Sequence, residues 1–127
     1  MNIKFAIIAL LGLITTSCAQ RPNVPSITIE EFIEKMDSDT SLVILDVRTP
    51  QELVGPLGKI ETVINIPVQE LSDRVNELEK YKGRNIAVIC RTGNRSTYAT
   101  KILLENGHKA ENVLDGMVEY RKEKGQN

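Results

Sequence analysis

Two apolar runs dominate the hydrophobic pattern, Ser41 to Val47 (SLVILDV) and Asn85 to Ile89 (NIAVI). Neither alternates polar with apolar residues, so each predicts a short strand covered on both faces. Around them the period changes to that of helices. Ile29, Phe32, Ile33 and Met36 form a stripe at helical spacing behind Thr28-Ile29-Glu30-Glu31, which has the spacing of a capping box. Thr49-Pro50-Gln51-Glu52 repeats that spacing with proline at the first helical position, and Gly55-Pro56-Leu57-Gly58 breaks the short helix it starts. Thr62 to Ile66 predicts a third strand, stopped by Pro67. From Gln69 to Tyr81 a helix is expected, with Leu71, Val75 and Leu78 on one face and a solvated charged face opposite. A further amphipathic helix, Ser96 to Asn106, carries Ala99, Ile102 and Leu103 and ends at Gly107. Asn112 to Leu114 predicts a brief strand, Asp115-Gly116 a turn and Met117 to Lys124 a last helix.

Strands alternating with helices predict an α/β domain, a small and mostly parallel sheet of about five strands with helices on both faces. Ligands of such sheets sit beyond the strands' carboxyl ends, and Arg48 and Cys90 both fall at such ends. Composition agrees with one globular domain: 127 residues, 41% hydrophobic and 26% charged, with a formal charge of -1 that offers nucleic acid nothing to bind.

The N-terminus departs from this pattern. Lys4 supplies a short positive region, Phe5 to Ile14 is free of charge, and small residues lead to Cys18. This predicts a signal peptide over residues 1–17, too short to span a membrane as a mature helix. A tether over 18–26, with Pro22 and Pro25, would then lead into a domain over 27–125. Cys18 after small residues resembles the bacterial lipoprotein signal, although Thr15 stands where an aliphatic residue is usual. The resemblance implies an exported protein of the periplasm or cell envelope, held to a membrane by lipid on Cys18. The plainer alternative is an ordinary cleaved signal in which Cys18 is incidental. If Cys18 is acylated, Cys90 is the one free thiol left and no internal disulfide can form.

Cys90-Arg91-Thr92-Gly93-Asn94-Arg95-Ser96 then carries the chemistry. A thiol at a strand end, facing a helix N-terminus and beside two arginines, is favoured as thiolate by unpaired N–H groups and the helix dipole. An exposed thiolate of this kind is a nucleophile for a soft electrophile. His108, the only histidine, is remote in sequence, which disfavours a cysteine–histidine protease and leaves it as a surface residue.

Three segments in order resemble the rhodanese family of single-domain sulfurtransferases: Leu45-Asp46-Val47-Arg48-Thr49-Pro50 with Glu52, Gly58 to Pro67, and the Cys90 loop followed by Asn112 to Met117 and Tyr120. Lys59, Glu61 and Thr62 depart from the usual pattern, as do Asp115 and Tyr120 in a stretch where two glycines and a tryptophan are common. The resemblance implies that Cys90 takes a sulfane sulfur from a small anion such as thiosulfate, holds it as a persulfide, and yields it to cyanide or a thiol. The protein would act as a monomer, and neither metal nor organic cofactor is implied. The N–H groups of Arg91 to Arg95 would stabilise the persulfide, and Gly93 would permit the turn. Arg91 and Arg95 would recognise donor oxygens, Arg95 with the option of pairing with an acid instead. Thr92, Asn94 and Ser96 complete the binding loop, with Asp46 and Arg48 as structural support. Two other readings stay open, a non-catalytic rhodanese-like binding module and a phosphatase or arsenate reductase with a related cysteine loop. Four residues separate Cys90 from Arg95, against five in phosphatases resembling this fold, which favours sulfur over phosphate.

Overall fold

The computed structural model describes residues 20–125. The signal expected over 1–17 and the acylation expected at Cys18 lie outside the described residues. Strands β1 (Ser26–Ile27), β2 (Val43–Asp46), β3 (Ile64–Asn65), β4 (Asn85–Ile89) and β5 (Lys109–Val113) form one sheet in the order β1-β5-β4-β2-β3. Every neighbouring pair is parallel. Helices α1 (Ile29–Ser38), α2 (Pro50–Leu53), α3 (Val68–Arg74), α4 (Asn94–Glu105) and α5 (Gly116–Glu123) connect them.

Alternation along the central strands sorts the core into two layers. Val43, Leu45, Ile86 and Val88 point to one face, where Leu71 of α3 and Ala99 and Leu103 of α4 cover them. Ile44, Ala87 and Ile89 point to the other, against Ile29 and Phe32 of α1 and Met117 and Tyr120 of α5. Burial on both faces explains why β2 and β4 read as unbroken apolar runs. Cys90 continues the alternation of Ile86 and Val88 and so belongs to the first layer.

Several elements differ from the sequence pattern. The third strand shrinks to Ile64–Asn65, which pairs with Leu45 and Asp46 at the sheet edge, while Glu61 and Thr62 form an exposed turn. The helix expected over 69–81 is α-helical only to Arg74 and continues as a 3₁₀ segment, Val75–Tyr81. Two turns of apolar spacing do not separate a period of 3.0 from one of 3.6. The last strand begins at Lys109, because Ala110 is buried while Glu111 on the opposite face pairs with Lys35 at 2.6 Å. At the start, Ser26 pairs with Asn112 in the sheet although the pattern assigns it to the tether. His108 is also corrected: it is 4% exposed rather than on the surface, packed where the chain enters β5.

Candidate active site

Cys90 leaves β4 directly beneath the N-terminus of α4. Its Sγ accepts the Gly93 N–H at 3.1 Å and lies 3.3 Å from Ser96 Oγ. Gly93 adopts φ 97°, a left-handed conformation in which a Cβ would lie 3.3 Å from the Asp115 nitrogen. That turn brings its N–H back to the sulfur and starts the helix at the next residue. The N–H groups of Asn94, Arg95 and Ser96 therefore precede the helix's own ladder, which opens with Thr97 N to Gly93 O at 3.3 Å.

The residue is only 1% exposed. This corrects the expectation of an exposed thiol: the side chain falls on the inward face of the strand register and α4 roofs it. Ser96, itself fully buried, donates to Asn112 Oδ1 at 2.6 Å, so a buried polar chain runs from the sulfur to β5. Beneath the loop, the carbonyls of Cys90 and Arg91 accept the N–H groups of Met117 at 2.8 Å and Val118 at 3.1 Å. Gly116, at φ 57°, permits this approach, since a Cβ there would stand 2.4 Å from the Cys90 oxygen.

The two arginines of the loop diverge. Arg95 reaches out of the loop to Glu52 of α2, Nη1 to Oε1 at 2.6 Å and Nη2 to Oε2 at 2.8 Å. Hydrogen bonding from Arg95 holds the Glu52 carboxyl down to about 2, and the same bonds raise the guanidinium above its ordinary value. The acid partner the sequence allowed for is thus Glu52, which also closes the capping box with Thr49. Arg91 instead is exposed. It borders a concavity of 280 Å³ whose remaining wall includes Arg48, Glu52, Pro56 and Leu57.

Asp46 and Arg48 are buried together, Nη2 to Oδ2 at 2.7 Å. Arg48 also donates to the carbonyl of Gly58 at 2.7 Å, and Asn65 ties its Nδ2 to the carbonyls of Asp46 and Arg48 at 3.0 and 2.8 Å. A buried ion pair is retained only when its remaining hydrogen-bonding capacity is met. Here that capacity fixes the 52–58 loop as one wall of the site. Thr92 and Asn94 are exposed on the rim, and Thr92 with Gly93 borders a second cavity of 160 Å³ formed against Arg21 to Val24. Tyr120 is structural, edge-on to Phe32 at 6.1 Å between centroids. Among the described residues no cluster of His, Cys, Asp or Glu has the makings of a metal site.

Sequence reasoning overlooked Asn112 and the closeness of Gly116 to the loop. Glu52 was visible as a capping residue and as a member of the first resembling segment, and nothing local to it announces a partner 43 positions away.

Residues 28–123 match the Rhodanese-like domain. The chain belongs to the rhodanese family. YrkF of Bacillus subtilis, by designation a sulfur carrier protein, is 38% identical over 99 residues, which are 77% of this chain and 51% of that protein. The chain thus spans about half the length of that relative. YtwF of the same organism, by designation a sulfurtransferase, is 31% identical over 100 residues, 79% of this chain and 93% of that one. Among solved structures, a rhodanese-related protein of Thermoplasma volcanium superposes with a TM-score of 0.69 at 34% identity, covering 82% of this chain and 96% of that one. The rhodanese fold therefore extends over nearly all the described residues, and relatives with it are designated for sulfur transfer.

Proposed function

We propose that this rhodanese domain transfers a sulfane sulfur through a persulfide on Cys90. One observation carries the reading: a thiol at the carboxyl end of a central strand receives a loop N–H at 3.1 Å, with three further N–H groups at the start of α4 beyond it. In the first half-reaction the Cys90 thiolate attacks the outer sulfur of a donor such as thiosulfate. The new S–S bond forms as the donor's breaks, and sulfite departs with the electron pair. In the second, cyanide or a thiol takes the outer sulfur and returns the thiolate. Both steps move electron pairs without net redox, so the loop needs only to bind and stabilise anions. Arg91 contributes charge at the mouth, Thr92, Gly93, Asn94 and Ser96 shape the cradle, and Asp46, Arg48, Glu52 and Arg95 hold it.

The rival phosphatase reading requires a cradle for a tetrahedral phosphate. Four intervening residues and an arginine closed onto Glu52 argue against it. A mute binding module would have no use for an N–H aimed at sulfur. We also propose that Cys18 carries lipid and that the protein works at a membrane surface outside the cytoplasm, a reading supported by the charge and small-residue pattern before Cys18.

Purified protein is expected to move sulfur from thiosulfate to cyanide and to gain one sulfur atom on Cys90 in intact mass after incubation with donor alone. Cys90→Ser should abolish both. Undiminished transfer in that variant would sink the mechanism.

A further inference from the structure

We propose that Asn112 is a positioning residue that keeps the one proton of Ser96 away from the Cys90 sulfur, and so biases the site toward holding a transferred sulfur over releasing it. This role rests on the persulfide reading above and adds to it what sets how tightly sulfur is kept.

Ser96 Oγ carries a single hydrogen and has two neighbours that could take it, Asn112 Oδ1 at 2.6 Å and Cys90 Sγ at 3.3 Å. The shorter contact has the length of an O–H···O bond and falls below the range of N–H···O bonds, which sets the amide oxygen rather than its nitrogen against the hydroxyl. An amide oxygen only accepts, so the hydrogen belongs to that bond. What Ser96 then turns to the sulfur is a lone pair. A Cys90 S–H can donate to it, closing a chain from sulfur to Ser96 to Asn112 in which each hydrogen is used once.

Asn112 cannot follow if the hydroxyl swings. Its backbone is paired with Val88 of β4 on one side and Ser26 of β1 on the other, its N–H is on the Pro25 carbonyl at 2.8 Å, and the residue is 2% exposed. Turning the Ser96 hydrogen to a thiolate would therefore strip a buried oxygen of its donor, which offsets much of what the sulfur gains. The free thiolate is left with the Gly93 N–H and the start of α4 but without the hydroxyl. A loaded Cys90 differs. Its Sγ is then the inner sulfur of a persulfide, the charge sits on the outer sulfur, and the bond from Ser96 to Asn112 stays in place. Asn112 thus opposes the discharged anion and spares the loaded one.

The surrounding charges weigh on both forms, since both are anions over the same loop. They are Arg95 of α4, whose charge interacts with Cys90, Glu52 of α2 closed on it, Arg91 of the loop, the pair Asp46 and Arg48 at the end of β2, and Asp115 before α5. The exchange read below is balanced without a further reagent: Cys90 thiolate and thiosulfate give Cys90 persulfide and sulfite, one S–S bond forming as another breaks and no proton moving.

Leucine is close to asparagine in size and cannot accept a hydrogen bond, so Asn112→Leu frees the Ser96 hydrogen for the thiolate. The pH midpoint for alkylation by iodoacetamide, read on the peptide bearing Cys90, is expected to fall by about one unit in that variant, the effect of one hydrogen bond to a charged group. Above that midpoint, the full chain equilibrated with thiosulfate and sulfite at fixed ratios should hold sulfur about tenfold less well by intact mass. Adding Ser96→Ala to Asn112→Leu should abolish both shifts, which a mere loosening of β5 would not do. Ser96→Ala alone tests the same point should Asn112→Leu not fold, and its midpoint is expected at or below that of the unsubstituted protein. A midpoint raised by a unit in Ser96→Ala, no shift in Asn112→Leu, or shifts that survive in the double variant overturn the inference. Failure of the unsubstituted protein to load any sulfur overturns the underlying reading instead, while the alkylation midpoints still decide whether Asn112 holds the Ser96 proton.

Discussion

Gly116 has a stronger claim on the shape of the Cys90 loop than any charged residue in it. A methyl group at this position would stand 2.4 Å from the Cys90 oxygen and 2.6 Å from the Arg91 carbonyl carbon, both backbone atoms that cannot swing aside. Its φ of 57° adds the left-handed penalty of about 1–2 kcal/mol for a residue with a Cβ. With overpacking of about 1–3 kcal/mol, Gly116→Ala should cost on the order of 2–5 kcal/mol and lower the Tm by roughly 10–25 °C. Thermal unfolding checks this, and a shift of only a degree or two would refute the close approach. His108 makes a different residue-scale prediction. It is buried with both ring nitrogens unpartnered, and burial holds it below its ordinary 6.5, with Lys82 pushing the same way and Glu79 opposing. The unfolded chain gains a proton near pH 6.5 that the folded chain refuses until lower pH. Stability is therefore intact above 6.5 and falls as pH drops through that window. Denaturation at pH 7.5 and 5.0 should show a loss that His108→Leu removes. The sequence disclosed neither residue's role, because a glycine in a turn and a histidine after Asn106-Gly107 look alike whether exposed or packed.

Among the elements, α2 is the one whose role the sequence understated. Four residues long, it is held through its cap, and Glu52 at its third position carries the bidentate bond to Arg95 at the start of α4. The capping box was legible because its partners lie three residues apart; the ion pair was not, because 43 residues separate its ends. The same physics divides the strands. β2 and β4 announce themselves because both faces are buried, whereas β1 and β3 are two-residue edge strands whose pairing comes from the neighbours they reach. For Glu52, a pKa lowered to about 2 from 4.5 implies stability that is present above pH 4.5 and lost as pH falls toward 2. With both side chains 30% exposed, solvent screening keeps this on the order of 1–2 kcal/mol. Glu52→Gln should therefore be destabilised by that amount at pH 7 in urea denaturation, with the gap to the unsubstituted protein closing between pH 4.5 and 2. This window lies below that of His108, so the two contributions separate on one pH series. A gap that stays constant with pH would mean that packing, not charge, joins α2 to α4.

At the scale of the molecule, the parallel sheet collects at one end everything the proposed chemistry uses, and the N-terminal segment arrives there too. Arg21 to Val24 border the same 160 Å³ cavity as Thr92 and Gly93, and the Pro25 carbonyl accepts the Asn112 N–H at 2.8 Å before β1 begins. The contiguous Cys90 loop could be read directly from the chain, but this neighbourhood could not, since it depends on which edge of the sheet β1 joins. It has a consequence if Cys18 carries lipid as proposed. Arg21 is three residues later, a reach of at most about 11 Å, so the Cys90 loop would be held within roughly one or two Debye lengths of the membrane surface. An anionic surface at about −30 mV depletes a dianion roughly tenfold in contact and about two- to threefold one Debye length away. Loading of Cys90 by thiosulfate should then show a KM about two- to threefold higher on vesicles with anionic lipid than on neutral ones, with the difference lost at high salt. Cys18→Ser, which cannot be acylated, should show the same KM with both vesicles. Identical KM values for the acylated protein on the two surfaces would place the loop beyond the reach of the membrane's field and separate the tether from the site.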